Sequence, residues 1–315
     1  VKPSLLIAEP EDFTPSVLAG LGEWATVALG PVAPGGLGAE LGRHDLVWIR
    51  LGHRLRAEDI PPRPRCRILA VPTTGLDHLD LPALAAAGIE VASLRGEAGF
   101  LRSVSATAEH AIGLMLSVLR MVPAAHASVL AGEWDRDRFR GRELAGRRVG
   151  LLGAGRLACL VAGYLRAFGC EVLAYDPRPD FPAEIPRAPE LDSLLAFSEI
   201  LSVHATYDAT THHLLGHARL SRLPRGAFLV NTSRGGIVDD VALVRLLAEG
   251  HLAGAAIDVV EGEPSVGRDH PLVRLAASGG RVVITPHLGG NTTDSFAKTE
   301  AFLADKIRAR WRALA

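Results

Sequence analysis

The stretch Val149-Gly-Leu-Leu-Gly-Ala-Gly-Arg-Leu-Ala158 decides the architecture of this 315-residue chain. An apolar run, Val149 to Leu152, enters a turn with Gly153 and Gly155, and helix-compatible residues continue to Phe168. Strand, glycine turn and helix in that order suit the diphosphate of a dinucleotide. The first glycine allows the tight turn, and the second lets the backbone approach the phosphates at the helix N-terminus. The third, helix-packing position is Ala158, a small residue that serves the same purpose. Small residues between a strand and a helix are often mere packing, so the context matters. Glu171-Val-Leu-Ala-Tyr-Asp176 reads as the next strand and ends in an acid about twenty residues on, where a ribose hydroxyl partner belongs. Asp176 favours NAD over NADP because a 2′-phosphate would meet its carboxylate, although Arg178 can soften that preference.

The alternation extends in both directions. Downstream, 200–203, 227–231, 255–259 and 282–285 read as strands, with helices at 192–196, 217–223 and 239–248. Upstream, 4–8, 46–49, 68–71 and 89–93 read as the strands of a separate small unit. A long, largely apolar helix is expected over 106–119, ended or kinked by Pro123. The whole is an α/β chain with parallel sheets, and ligands belong at the carboxyl ends of its strands. The tail from Asp294 reads as an amphipathic helix that returns to the first unit. That makes 1–100 with 288–315 a discontinuous substrate domain and 101–287 the cofactor domain, with the active site expected in a cleft where they meet.

Composition narrows the function. A hydrophobic content of 48% supports buried cores, and a net charge of −1 gives no reason to expect nucleic acid or an acidic membrane as partner. Lys2, Lys298 and Lys306 are the only lysines and none adjoins a motif, which argues against Schiff-base chemistry. Cys66, Cys159 and Cys170 form no CxxC, so reduced thiols in a soluble cytoplasmic protein are expected. There is no run of 18 or more apolar residues and no leader-like segment.

Three segments at predicted strand ends offer chemistry: Asn231-Thr-Ser-Arg-Gly-Gly236, Ile257-Asp-Val-Val-Glu-Gly-Glu-Pro264 and Thr285-Pro-His-Leu-Gly-Gly290. Each has a plain alternative. An arginine after a strand is usually solvated, a Glu-Pro pair is a common turn, and a loop histidine usually does nothing. Their joint occurrence downstream of a dinucleotide fingerprint brings Arg234, Asp258, Glu263 and His287 toward one crevice beside a nicotinamide.

These blocks resemble the signatures of the D-isomer-specific 2-hydroxyacid dehydrogenases. The likeness extends to Val71–Asp80, Ala106–His110 and Gly141–Leu157, hence over nearly the whole chain. It implies a Rossmann cofactor domain and a smaller flavodoxin-like α/β substrate domain, with NAD as cofactor. It also implies a 2-hydroxy or 2-oxo acid substrate and a homodimer built on the long central helix. Arg234 would bind the substrate carboxylate and polarise its C2 oxygen. His287 would be the general acid and base, and Glu263 would pair with it and fix its tautomer. Thr107, Gly153, Gly155, Arg156, Leu157, Asp176, His204, Thr232, Ser233, Asp258, Gly289 and Gly290 would line the cofactor. Arg50, Thr74 and Gly75, together with Arg234 and His287, would contact substrate. Two departures stand out: His204-Ala-Thr206 replaces His-x-Pro, and Thr73-Thr74-Gly75 replaces Gly-x-Gly.

Other readings stay open. The chain could be a nucleotide-sensing corepressor on the same fold, or a dehydrogenase of a non-carbon substrate such as phosphite. Trp134 is expected to pack, and Glu109 and His110 to make interdomain or subunit hydrogen bonds. No metal is expected. His212, His213 and His217 have near-ligand spacing, but adjacent histidines should face opposite ways.

Overall fold

A computed structural model describes residues 2–33 and 35–314, so the outermost positions of the expected domain bounds, 1 and 315, lie outside the described residues. It divides into two compact units, Val1–Val104 with Thr292–Ala315, and Ser105–Asn291.

The first unit is built on β1 (Ser4–Ile7), β2 (Thr26–Leu29), β3 (Leu46–Trp48), β4 (Ile68–Val71) and β5 (Glu90–Ser93). All pair in parallel, in the order β2-β1-β3-β4-β5, which is the flavodoxin-like arrangement. Successive side chains alternate between faces. Leu6, Val47 and Leu69 enter one core, while Leu5, Ile7, Leu46, Trp48 and Ile68 enter the other. The second core is closed by Leu303 and Ile307 of the terminal helix Thr293–Leu314, so that helix does return to the first unit. The sequence reading misses β2. Its four residues sit at the sheet edge with none fully buried, and a short half-exposed run carries little periodic signal.

The second unit holds β6 (Arg148–Leu152), β7 (Glu171–Tyr175), β8 (Ile200–Val203), β9 (Ala227–Asn231), β10 (Leu252–Ile257) and β11 (Val282–Ile284). These are again all parallel, in the order β11-β10-β9-β8-β6-β7. A single parallel bridge from Arg187 to Ala174 stands beyond β7, where a dinucleotide fold of order 3-2-1-4-5-6 has its third strand. The chain changes direction across the sheet between β6 and β8, and the fingerprint turn follows β6 at that point. One core takes Val149, Leu151, Phe228 and Val230 against helices Ala106–Arg120 and Arg156–Ala167. The other takes Leu152, Leu201, Leu229 and Ile257 against helix Asp240–Ala248.

The central helix ends at Arg120. Met121 is left-handed, with φ 53°, and Pro123 opens the next helix, Val122–Leu130. The proline supplies a pre-set φ in a first turn, where its missing N–H costs nothing. No single helix among the described residues is long and apolar enough to cross a membrane; the bent pair 98–120 and 122–130 passes that test only by length and composition.

Candidate active site

The fingerprint turn is assembled as its residues require. Gly153 has φ 96°, and a Cβ there would lie 2.7 Å from the backbone of His204 and Ala205. Only glycine combines that dihedral with that approach. Gly155 precedes helix Arg156–Ala167, whose N-terminus has no side-chain cap. A Cβ on Gly155 would meet nothing within 4 Å, which leaves open space at the helix N-terminus. Arg156 and Leu157 form the helix's first turn and Ala158 is buried against the sheet. The amide donors of a helix N-terminus favour an anion.

Asp176, at the end of β7, is buried and accepts from the Ala154 amide at 2.9 Å and from Arg178 Nε and Nη2 at 2.9 and 2.8 Å. Burial alone would raise its pKa. The Arg178 guanidinium and the two amides, of Ala154 and Arg178, outweigh it and hold the carboxyl at about 2. Asp176 is therefore ionised, and already bidentately paired to Arg178. His204, after β8, contacts Ser202 Oγ through Nε2 at 2.9 Å, and burial pushes its imidazole down to about 4. It is neutral at pH 7.

The turn after β9 is held by Asn231. Its side chain accepts from the Ser233 amide and donates to the Arg234 carbonyl, both at 3.0 Å. This Asx turn sets the backbone that carries Arg234. Ser233 Oγ donates to the Ala205 carbonyl, and Thr232 Oγ1 is buried with no hydrogen-bond partner. A Cβ on Gly235 would fall 2.0 Å from the Val260 carbonyl carbon, so the Arg234 turn lies directly against the segment leading to Glu263.

His287 Nδ1 donates to Glu263 Oε1 at 2.8 Å, with both side chains half-buried. With a carboxylate as partner, Nδ1 carries the hydrogen of this contact and Nε2 stays outside it. His287 has φ 56°, a region L-residues avoid. Its amide donates to the carbonyls of Asp258 and Thr285, at 2.8 and 3.0 Å. The Asp258 carboxylate, 1% exposed, then accepts the amides of Leu288 and Gly289 at 2.7 and 2.9 Å. It also accepts from Thr285 Oγ1 at 2.6 Å and His110 Nε2 at 3.1 Å. Asp258 thus buckles the 285–289 loop to the central helix. A Cβ on Gly289 would lie 3.0 Å from Thr107 Cγ2 and 3.2 Å from Asp258 Oδ2, so a side chain here would be tight against both, whereas Gly290 is open.

Several sequence expectations change. His110 bonds within the cofactor unit rather than between domains or subunits. Asn231 and Thr285 carry no expected role, although Asn at a strand end is a recognisable Asx-turn signal. Trp134 is 89% exposed and packs on nothing substantial. His212 and His213 do not face apart: their rings stack at 4.0 Å. In the smaller unit, Thr74 and Gly75 follow β4 in a turn closed by Thr73 Oγ1 donating to the Gly75 carbonyl at 2.8 Å. Arg50 is engaged internally there. Its Nη2 meets the buried Glu300 carboxylate at 2.7 Å, Nη1 meets the Glu11 carbonyl at 2.8 Å, and its guanidinium lies 4.5 Å from the Phe296 ring centroid. Two amides beside it, of Arg50 and Gly52, donate to the Glu9 carboxylate.

Residues 112–289 match the sequence profile of the D-isomer specific 2-hydroxyacid dehydrogenase NAD binding domain. The chain is 35% identical over 311 residues to a D-3-phosphoglycerate dehydrogenase of Mycobacterium bovis, covering 97% of this chain and 56% of that protein. It therefore spans little more than half the length of that relative. It is 32% identical over 266 residues to a hydroxypyruvate reductase of Thermotoga maritima, covering 84% of this chain and 83% of the relative. Among solved structures, D-lactate dehydrogenase from Aquifex aeolicus, complexed with NAD and lactic acid, superposes with a TM-score of 0.82. That match is at 26% identity over 98% of this chain and 96% of the other.

Proposed function

The chain belongs to the family of D-isomer specific 2-hydroxyacid dehydrogenases, and from there we propose that it interconverts a small D-2-hydroxy acid and its 2-oxo acid with NAD as cofactor. The observation that carries this is the His287–Glu263 pair, held at 2.8 Å on a backbone conformation that L-residues avoid. Strain of that kind persists where the surroundings impose it, and it concentrates at active sites. A nucleotide sensor would need no such pair.

The residues suit the cofactor on three counts: the uncapped helix N-terminus, the open space at Gly155, and the buried, unpartnered Thr232 hydroxyl. When bound, NAD supplies the hydride acceptor or donor. In the reducing direction His287 Nε2 gives a proton to the C2 oxygen, and in oxidation it takes that proton back. Glu263 orients the imidazole and stabilises its protonated form. Arg234 pairs with the substrate carboxylate and polarises the C2 oxygen, whose charge grows along the reaction. Arg50 is left out of this scheme. Its guanidinium is already committed to Glu300, Glu11 and Phe296, so a substrate without a distal phosphate is preferred.

We place the protein in the cytoplasm, in keeping with three free cysteines, and propose a homodimer. The central helix puts seven residues into its own unit's core. Val122, Val129, Leu130 and Trp134 just beyond it are 52%, 47%, 76% and 89% exposed, and a second copy is their proposed cover.

Initial rates with glyoxylate, hydroxypyruvate, pyruvate and phosphohydroxypyruvate, each with NADH and with NADPH, test the reaction. The expected result is turnover of an unphosphorylated acid with kcat/KM higher for NADH, because Asp176 is ionised where a 2′-phosphate would sit. No turnover of any 2-oxo acid, or a preference for NADPH, would sink it.

A further inference from the structure

Outside this site, the described residues hold one cluster of nitrogen and oxygen donors with ligand-like spacing: His212, His213 and Glu261, whose donor atoms all lie within 4.8 Å of one another. We propose that it binds a divalent transition ion, Zn²⁺ foremost. The inference stands independently of the reaction above.

The first argument is that the backbone brings the ligands together. Adjacent side chains diverge on an extended or helical chain, but His213 has φ 47°. That turn places the two imidazoles side by side, 4.0 Å between centroids and 20° between planes. It is held by the His213 amide, which donates to the Gly236 carbonyl at 2.7 Å.

Glycines lock the surrounding loops to one another. A Cβ on Gly236 would lie 2.8 Å from Tyr207 Cε2, and one on Gly235 would lie 2.3 Å from the Glu261 amide nitrogen. Tyr207, the histidine pair and Glu261 are therefore close-packed through 235–236, and much of the ordering that a ligand set costs is already met.

The donor chemistry supplies the third argument. Tyr207 Oη contacts His212 Nδ1 at 3.1 Å. With Nδ1–H donating to that oxygen, Nε2 presents its lone pair, the outer-shell pattern that orients metal-bound histidines. His213 Nε2 and Glu261 Oε2 are hydrogen-bonded at 2.9 Å. An ion takes the place of that hydrogen: the neutral imidazole gives up its Nε2–H and takes a proton at Nδ1 through solvent, so its charge is unchanged, and the two exposed side chains open slightly. Zn–N and Zn–O bonds of about 2.0–2.2 Å set tetrahedral ligands about 3.3 Å apart. Two imidazoles and one carboxylate select Zn²⁺, Cu²⁺ or Ni²⁺ over Mg²⁺ or Ca²⁺, and water completes the coordination. The ion would tie the 207–213 loop to the segment that leads to Glu263.

Calorimetric titration of the chelator-treated full chain with ZnCl₂ tests the proposal. One ion per chain with a Kd roughly micromolar is expected, weakened at least tenfold in His212→Ala and in His213→Ala, and weakened in Glu261→Gln. Circular dichroism checks that each variant is folded. His287→Ala should keep the site, since its own carboxylate partner is Glu263. Co²⁺ should give visible absorption of tetrahedral intensity in the parent and none in His212→Ala/His213→Ala. Absence of binding by the parent, equal binding by the double variant, or loss of binding in His287→Ala would each overturn the assignment.

Discussion

The proposed chemistry turns on His287, and its neighbours show what that role would require. Nδ1 is given to Glu263, the left-handed backbone is clamped by the Asp258 and Thr285 carbonyls, and Nε2 is the nitrogen proposed to transfer the proton. Its replacement should therefore cost catalysis far more than stability. His287→Ala is expected to lower kcat by about 10² to 10⁴, as for a lost general acid. Glu263→Gln, which keeps the shape and the contact but removes the charge, should cost less than His287→Ala. Steady-state kinetics of 2-oxo acid reduction compares the two. A His287→Ala enzyme with near-normal kcat would show that another group moves the proton. Arg234 and His287 are legible in the sequence because each sits one to four residues beyond an apolar run, and strand ends are where α/β folds place ligands. Arg50 is legible only as a charge. Its partner Glu300 is 250 positions away, and no local pattern announces such a pairing.

Among the elements, helix Asp240–Ala248 carries a titration with a calculable sign. Its N-cap Asp239 accepts the Val241 and Ala242 amides, which is ordinary capping. Asp240, the first helical residue, is buried. Burial, together with the Glu261 and Asp239 carboxylates, raises its pKa to about 6, against the opposing pull of His270 at 3.3 Å. The folded value lies above the unfolded one of 3.8. Below pH 4 the group is protonated in both states and costs nothing. As pH rises from about 4 to 6 the unfolded chain ionises first, and stability is lost, staying low above that window. Asp240→Asn should therefore be more stable than the parent at pH 7, by up to about 3 kcal/mol at 1.36 kcal/mol per pKa unit, with the difference closing near pH 4. Thermal unfolding of both proteins at pH 4 and pH 7 measures it; a variant no more stable than the parent at pH 7 contradicts the account. The existence of this helix is readable from its apolar period. The cost at its first residue is not, because it arises from the burial and neighbours that folding imposes.

Across the entire chain, two parallel sheets each bury both faces, and the runs that made their strands legible are apolar for that reason. The surface left over is where assembly enters. Val122, Val129, Leu130 and Trp134 are exposed apolar side chains within one short segment, and the proposed homodimer would cover them. Sedimentation velocity should give twice the 33.4 kDa chain mass, and Leu130→Glu with Trp134→Glu should shift it to one. A parent that sediments as a monomer at micromolar concentration would rule out this dimer.

Sequence sufficed for whatever is short-range. The period of apolar runs named ten of the eleven strands among the described residues, and the spacing of Gly153, Gly155 and Asp176 marked the proposed seat of the cofactor, because alternation and turn chemistry are fixed by neighbouring residues. It did not show the Asp258 buckle to His110, Thr285 and the 288–289 amides. Nor did it show the Arg50–Glu300 pair or the stacking of His212 on His213. Those arrangements depend on segments far apart in the chain, or on a positive φ that packing enforces. Such features exist only after the sheets have formed, because only then do burial and close approach choose each side chain's partner.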